Sequence, residues 1–138
     1  VGLALPPVHE MEFVLVPIHF SQNHWFLVEI NMSKQAVRVY DSMKRELHDY
    51  MELVNNLKHW VKREAAVRHR VRLDMRTWDV KLVEVPQQGN TDDCGVYTIF
   101  FAEHLSLGLP IPELTPEEVP KLRFSYMRRF LQHWNLRQ

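Results

Sequence analysis

The stretch Trp25-Phe26-Leu27-Val28-Glu29-Ile30, Asn31-Met32-Ser33-Lys34, Ala36-Val37-Arg38-Val39-Tyr40 has the form of a β-hairpin. Two short runs rich in β-branched and aromatic residues flank a polar turn. Antiparallel pairing brings the start of the first strand and the end of the second to the same end of a sheet. His24 stands at the first of these places and Asp41-Ser42 at the second. The topology therefore places an imidazole beside a carboxylate.

Further predicted elements extend outward from the hairpin. Residues 1–11 read as an extended lead-in, because Pro6-Pro7 blocks a helix. Phe13-Val14-Leu15-Val16-Pro17-Ile18 is a buried-strand candidate, and Ser21-Gln22-Asn23 signals the turn before His24. Leu47, Tyr50, Met51, Val54, Leu57, Trp60 and Val61 recur at three- and four-residue steps, which predicts an amphipathic helix over 45–68. A fourth strand is predicted over 78–85. A helix capped by Asp92 or Asp93 should run to Leu107, with Gly108 at its stop. Its residues Val96, Ile99, Phe100, Phe101, Ala102 and Leu105 lie round much of its circumference, so it should be buried. A last helix is predicted from Glu117 or Pro120 to Trp134.

The 138 residues suffice for one domain with its own core. A composition of 46% hydrophobic and 25% charged residues is that of a globular protein and excludes disordered and collagen-like classes. Lys plus Arg and Asp plus Glu are both 17, so the balance offers no ground for a nucleic-acid partner. The apolar run from Phe13 to Phe20 is too short for a bilayer, and no membrane partner is expected. Cys94 is the single cysteine, which rules out an internal disulfide framework and fits a reducing compartment, nucleus or cytoplasm. There is no Walker loop, zinc-ligand spacing or dinucleotide fingerprint, so neither metal nor cofactor is expected. The basic run Lys58, Lys62, Arg63, Arg68, Arg70, Arg72 and Arg76 is ordinarily a solvated face, with docking of an acidic partner as the alternative.

A free cysteine is commonly a buried structural thiol. Cys94, however, follows Pro86-Gln87-Gln88-Gly89-Asn90-Thr91-Asp92-Asp93 and precedes Gly95 at a predicted helix start, where backbone N–H groups and the helix dipole favour a thiolate. With His24 and Asp41 it completes the residue types of a thiol nucleophile, a base and an orienting carboxylate. His19 competes with His24 for the base, and Gln87 with Gln88 for a side-chain oxyanion donor. Capping the Asp-Ser turn is the plain alternative role for Asp41.

The ordered elements His24-Trp25, Tyr40-Asp41-Ser42 and Gln88-x5-Cys94-Gly95, with Asp93 before the cysteine, resemble the catalytic core of the ubiquitin-like-protein proteases, the sentrin-specific or Ulp-type cysteine peptidases. The resemblance runs from about Phe13 to Leu105 and more weakly through the last helix. It implies an α+β, papain-like arrangement, with a central sheet packed on a buried helix that carries Cys94. It implies catalytic roles for His24, Asp41, Gln88 and Cys94: base, orienting carboxylate, oxyanion donor and nucleophile. By the general logic of a catalytic triad the carboxylate is expected to hold the imidazole through Nδ1–H. Trp25 resembles the tryptophan that covers a substrate's Gly-Gly tail, and Gly89, Asn90 and Asp93 are expected to border the substrate. Gly89 and Asn90 should also permit a tight loop. The implied activity is cleavage of a ubiquitin-like modifier, SUMO first, by a monomer. NEDD8, ubiquitin, a non-modifier protein, or a non-catalytic binding role are the alternatives. The family carries a further stretch before the first strand, so residues 1–138 are expected to be one catalytic domain lacking that portion.

Overall fold

The computed structural model describes residues 5–135 apart from Gln22 and Lys44. A short 3-10 turn, Val8–Glu10, leads into strand β1, Phe13–Phe20. The lead-in is thus less extended than expected: the chain turns directly after Pro6-Pro7 and buries Val8. Strands β2, His24–Asn31, and β3, Ala36–Tyr40, follow. A 3-10 turn over Leu47–Tyr50 opens into helix α1, Met51–His69, and strand β4 is Asp79–Leu82. Helices α2, Cys94–Ser106, and α3, Val119–Asn135, complete the chain.

The sheet has the order β1-β2-β3-β4, antiparallel at the first two junctions and parallel at the third. A parallel partner needs a crossover, and α1 supplies it between β3 and β4. β1 is the edge strand and tolerates Pro17, which faces Leu27 in the register. Every residue of β2 except Trp25 is buried, as expected of a strand covered on both faces. Phe26, Val28 and Ile30 share a core with Val54 and Val61 of α1. Leu27 points the other way, into a second core with Val96, Tyr97, Phe100 and Phe101 of α2 and Val119 and Tyr126 of α3. The result is the expected α+β arrangement of a sheet packed on the helix that begins at Cys94.

Several boundaries differ from expectation. The predicted helix over 45–68 begins as a 3-10 turn and becomes α-helical only at Met51. It ends at Arg70 in the left-handed region, φ 56°, with no glycine to ease the stop. β4 is shorter than 78–85; beyond Leu82 one further backbone bond, Val83 N–H to the Val39 carbonyl, continues the pairing. Gly108 does hold the left-handed conformation after α2, φ 67°. Apolar spacing misled in two places, since Trp60 on α1 and Ile99 on α2 are exposed. α3 is buried at Val119 and Tyr126, whereas Phe124, Met127, Phe130, Leu131 and Trp134 are exposed. The basic run lies on α1 and the segment after it. Arg68 pairs with Glu64 at 2.8 Å and Arg76 with Asp74 at 2.7 Å.

Candidate active site

The β1–β2 turn passes through Asn23 in the left-handed region, φ 63°, which asparagine tolerates better than most residues. Gln22 of that predicted turn lies outside the described residues. The turn delivers His24 to the first position of β2, and β3 ends one residue before Asp41. The hairpin geometry then closes as the sequence suggests: His24 Nε2 lies 2.8 Å from Asp41 Oδ1, with both residues buried.

The ring is turned the opposite way from expectation. Asp41 engages Nε2, not Nδ1, and His24 Nδ1 is buried without a hydrogen-bond partner among the described residues. An orphaned buried ring nitrogen needs explanation, because desolvating a polar atom is costly. An acceptor nitrogen kept free for a proton is one such explanation. The carboxylate is held by more than the imidazole. Oδ1 also accepts the Met43 N–H at 2.8 Å, and Oδ2 accepts the Tyr50 hydroxyl at 2.6 Å. Tyr50 was counted in the sequence only as an apolar helix position. Its place next to α1's first turn, nine residues from Asp41, was the available signal.

Cys94 is the first residue of α2 and is buried. Its thiol donates to the carbonyl of Asn23 at 3.6 Å, so the nucleophile candidate sits against the turn that precedes His24. A cleft of about 450 Å³ opens there, lined by Asn23, Trp25, Thr91, Asp92, Cys94 and Gly95. Trp25 is 39% exposed, not a core residue, and its ring lies 4.7 Å from that of its cross-strand neighbour His19. His19 is itself exposed and has no part in the Asp41 contact.

Asp93 occupies the cap position of α2 but makes no capping bond with its side chain, contrary to expectation. Its carboxylate is turned outward, accepting from Arg123 of α3 and from Asn90 Nδ2. Burial opposes its charge, but those hydrogen bonds and the guanidinium outweigh that and hold the carboxyl below the usual carboxylate range. Asn90 Oδ1 in turn accepts the N–H groups of Asp92 and Asp93. Asn90 and Asp93 therefore organise the loop that leads into Cys94. Gly89 has no positive φ, and a Cβ there would meet only Pro116 at 4.0 Å, so the loop does not depend on glycine's freedom.

The two glutamines differ in what they hold. Gln87 donates from Nε2 to the carbonyls of Asp41 and Val85, which occupies both amide hydrogens. Gln88 accepts the Ser42 hydroxyl at Oε1 and donates once, to the Asn90 carbonyl, leaving one N–H uncommitted among the described residues. Its backbone N–H also bonds the Ser42 carbonyl at 2.9 Å, so the loop is clasped to the end of β3. Among the described residues, no group of three or more His, Cys, Asp or Glu side chains converges as a metal site, and no helix is long and apolar enough to cross a membrane.

A papain-like α+β domain with a buried His–Asp pair beside a helix-start cysteine is the class these features define. The chain belongs to the Ulp1 protease family, whose C-terminal catalytic domain model matches residues 5–133. It is 33% identical over 117 residues to sentrin-specific protease 2 of Homo sapiens, covering 83% of this chain and 19% of that protein. It is 29% identical over 111 residues to sentrin-specific protease 5 of Mus musculus, covering 80% and 14%. The chain thus spans about a fifth or less of the length of these curated relatives. Among solved structures, the C-terminal Ulp1 protease domain in complex with Smt3, the yeast orthologue of SUMO, superposes with a TM-score of 0.71. Its sequence identity is 22%, over 86% of this chain and 51% of that one. The catalytic domain of the Chaetomium thermophilum Ulp1-like SUMO protease gives 0.63 at 27% identity, over 83% and 43%.

Proposed function

We propose that this domain is a thiol isopeptidase and processing protease that cleaves a ubiquitin-like modifier, SUMO first, after its C-terminal Gly-Gly. The observation that carries the reading is the buried His24–Asp41 contact through Nε2, with Nδ1 without a partner among the described residues and the Cys94 thiol bonded to Asn23, the residue before His24. In the proposed reaction His24 Nδ1 takes the Cys94 thiol proton and the sulfur attacks the carbonyl of the terminal glycine. The oxyanion is met by the free N–H of Gln88 and the backbone N–H of Cys94. Collapse expels the amine, which receives the proton from His24, and leaves a thioester. Water then attacks the thioester as His24 takes its proton, releasing the modifier's carboxylate and the thiol.

Trp25, exposed at the cleft, would lie over the substrate tail and admit only residues without side chains. The similarity to sentrin-specific proteases and the Smt3-bound Ulp1 neighbour supports SUMO as the modifier. A setting in nucleus or cytoplasm accords with a reduced Cys94.

Propargylamide forms of SUMO, NEDD8 and ubiquitin provide the test. A covalent adduct at Cys94 with SUMO, and none with the others, is expected. Preferential reaction with NEDD8 or ubiquitin reassigns the modifier, and no adduct with any of the three sinks the modifier-protease reading.

A further inference from the structure

Three tyrosine hydroxyls among the described residues donate to carboxylates. Tyr40 bonds Glu29 at 2.6 Å, Tyr126 bonds Glu103 at 3.0 Å, and Tyr50 bonds Asp41 at 2.6 Å. The first two join β3 to β2 and α3 to α2. The third ends on the carboxylate that holds His24.

Asp41 Oδ1 is shared between His24 Nε2 and the Met43 N–H, and Oδ2 takes the Tyr50 hydroxyl. The terminal torsion of an aspartate is broad, so its carboxylate plane is poorly fixed by the chain itself. A donor on the second oxygen fixes it. Tyr50 is suited to that task, being 3% exposed and placed immediately before α1, whose Val54 and Val61 are seated in the core. Its ring also packs edge-on against Phe26, centroids 5.2 Å apart, and Phe26 stacks on His24 at 6.0 Å. One side chain thus reaches both members of the pair, the carboxylate by its hydroxyl and the imidazole through Phe26. Burial, and then the bond to Asp41, raise the Tyr50 phenol far above its ordinary value, so it remains a donor at any pH at which a thiol protease works.

We infer that Tyr50 is a positioning residue for the reaction: by holding Oδ2 it sets the plane of Asp41, and through Asp41 the direction in which His24 Nδ1 meets the thiol. The inference rests on the proposed roles of His24, Asp41 and Cys94.

Tyr50→Phe removes the hydroxyl and keeps the ring on Phe26. Tyr126→Phe removes a hydroxyl–carboxylate bond of the same kind, part-buried and away from the cleft, and serves as the control. Two rates are measured for each: hydrolysis of a SUMO–aminomethylcoumarin conjugate, and alkylation of Cys94 by iodoacetamide, which needs no modifier. For Tyr50→Phe, kcat should fall roughly tenfold with KM within about twofold, as when an interaction is used mainly in the transition state. Its alkylation should slow as well. Tyr126→Phe should lower Tm, though less than Tyr50→Phe, with kcat and alkylation as in the parent. Equal kcat and alkylation in the two variants would make Tyr50 a structural residue only and overturn the inference. A parent protein inert to the conjugate, yet with alkylation slowed by Tyr50→Phe, would overturn the substrate reading and leave the positioning role standing. The unmutated protein supplies a reading independent of variant folding. The Tyr50 hydroxyl proton should be visible by NMR and slow to exchange with solvent, and fast exchange would contradict the geometry.

Discussion

The hairpin side and the loop side of the cleft are held together by different physics. His24 and Asp41 are 5% and 2% exposed, flanked by Phe26 and Tyr50, and their contacts form away from water. Gly89 and Asn90 are exposed, Gln88 and Asp93 half-buried, and their hydrogen bonds compete with solvent. In a buried network each missing partner leaves a desolvated polar group, so damage is large and local. In an exposed network water replaces the lost partner, so damage is modest unless the group meets the substrate. Substitutions on the hairpin side should therefore be severe wherever they fall, whereas those on the loop side should separate by chemical role.

The largest effects belong to the pair that would exchange the proton. Cys94→Ala and His24→Ala should each reduce modifier cleavage to background, and the double variant should be no worse, because groups that act as one unit are not additive. His19→Ala should instead change KM more than kcat, since His19 touches Trp25 and not Asp41. Activity kept by His24→Ala and lost by His19→Ala would reverse the assignment of the base.

Next in size comes Asp41→Asn. The carboxylate accepts from His24, Met43 and Tyr50. An amide in its place must turn its NH2 toward at least one of these donors. We expect kcat to fall by up to roughly 10⁴, the loss felt when an orienting carboxylate becomes an amide, together with a clear drop in Tm. A variant with unchanged Tm but lower kcat would mean that Asp41 acts on the imidazole's charge alone and carries little of the local structure.

The two sides were also unequally legible in the sequence. The His24–Asp41 contact follows from strand periodicity and hairpin topology, and the helix start at Cys94 follows from the apolar run after it. Which ring nitrogen meets Asp41 depends on a side-chain torsion, and periodicity carries no information about that. Tyr50 was hidden because its spacing fits an amphipathic helix, while its hydroxyl is used across a loop. Ile99 and Trp60 carry the right spacing but lack a covering element. Asp93 has the residue type of a helix cap, yet Arg123, 30 positions away, claims its carboxylate. Long-range competition of that kind leaves no mark on local sequence.

On the loop side, Gln88→Ala should lower kcat by roughly 10²–10³ with little change in substrate affinity, the loss typical of one oxyanion donor. Gln87→Ala should fall well short of that, because its amide hydrogens are both spent on backbone carbonyls. If Gln87→Ala proves the more damaging, the donor has been assigned to the wrong glutamine, and the clasp from Gln87 to the Asp41 carbonyl becomes the feature to explain.

The smallest effect should come from Arg123→Ala. The guanidinium reaches from α3 to the Asp92 carbonyl and the Asp93 carboxylate, and its side chain is 46% exposed. Solvent screening limits such a pair, so Tm near neutral pH should fall only slightly. The sharper reading is the pH dependence. Asp93 is held below its ordinary value in the folded protein, so its contribution to stability is present above the unfolded value, near pH 4. It is lost as pH falls through the folded value. The Tm of the parent protein should therefore approach that of Arg123→Ala as acid is added below about pH 4, with the two separated above it. Cleavage at neutral pH should drop less than for Gln88→Ala, since Asn90 still holds the Asp92 and Asp93 N–H groups. A loss of turnover as large as that of Asp41→Asn would show that α3 braces the nucleophile loop as firmly as burial braces the hairpin, and the contrast between the two sides would fail.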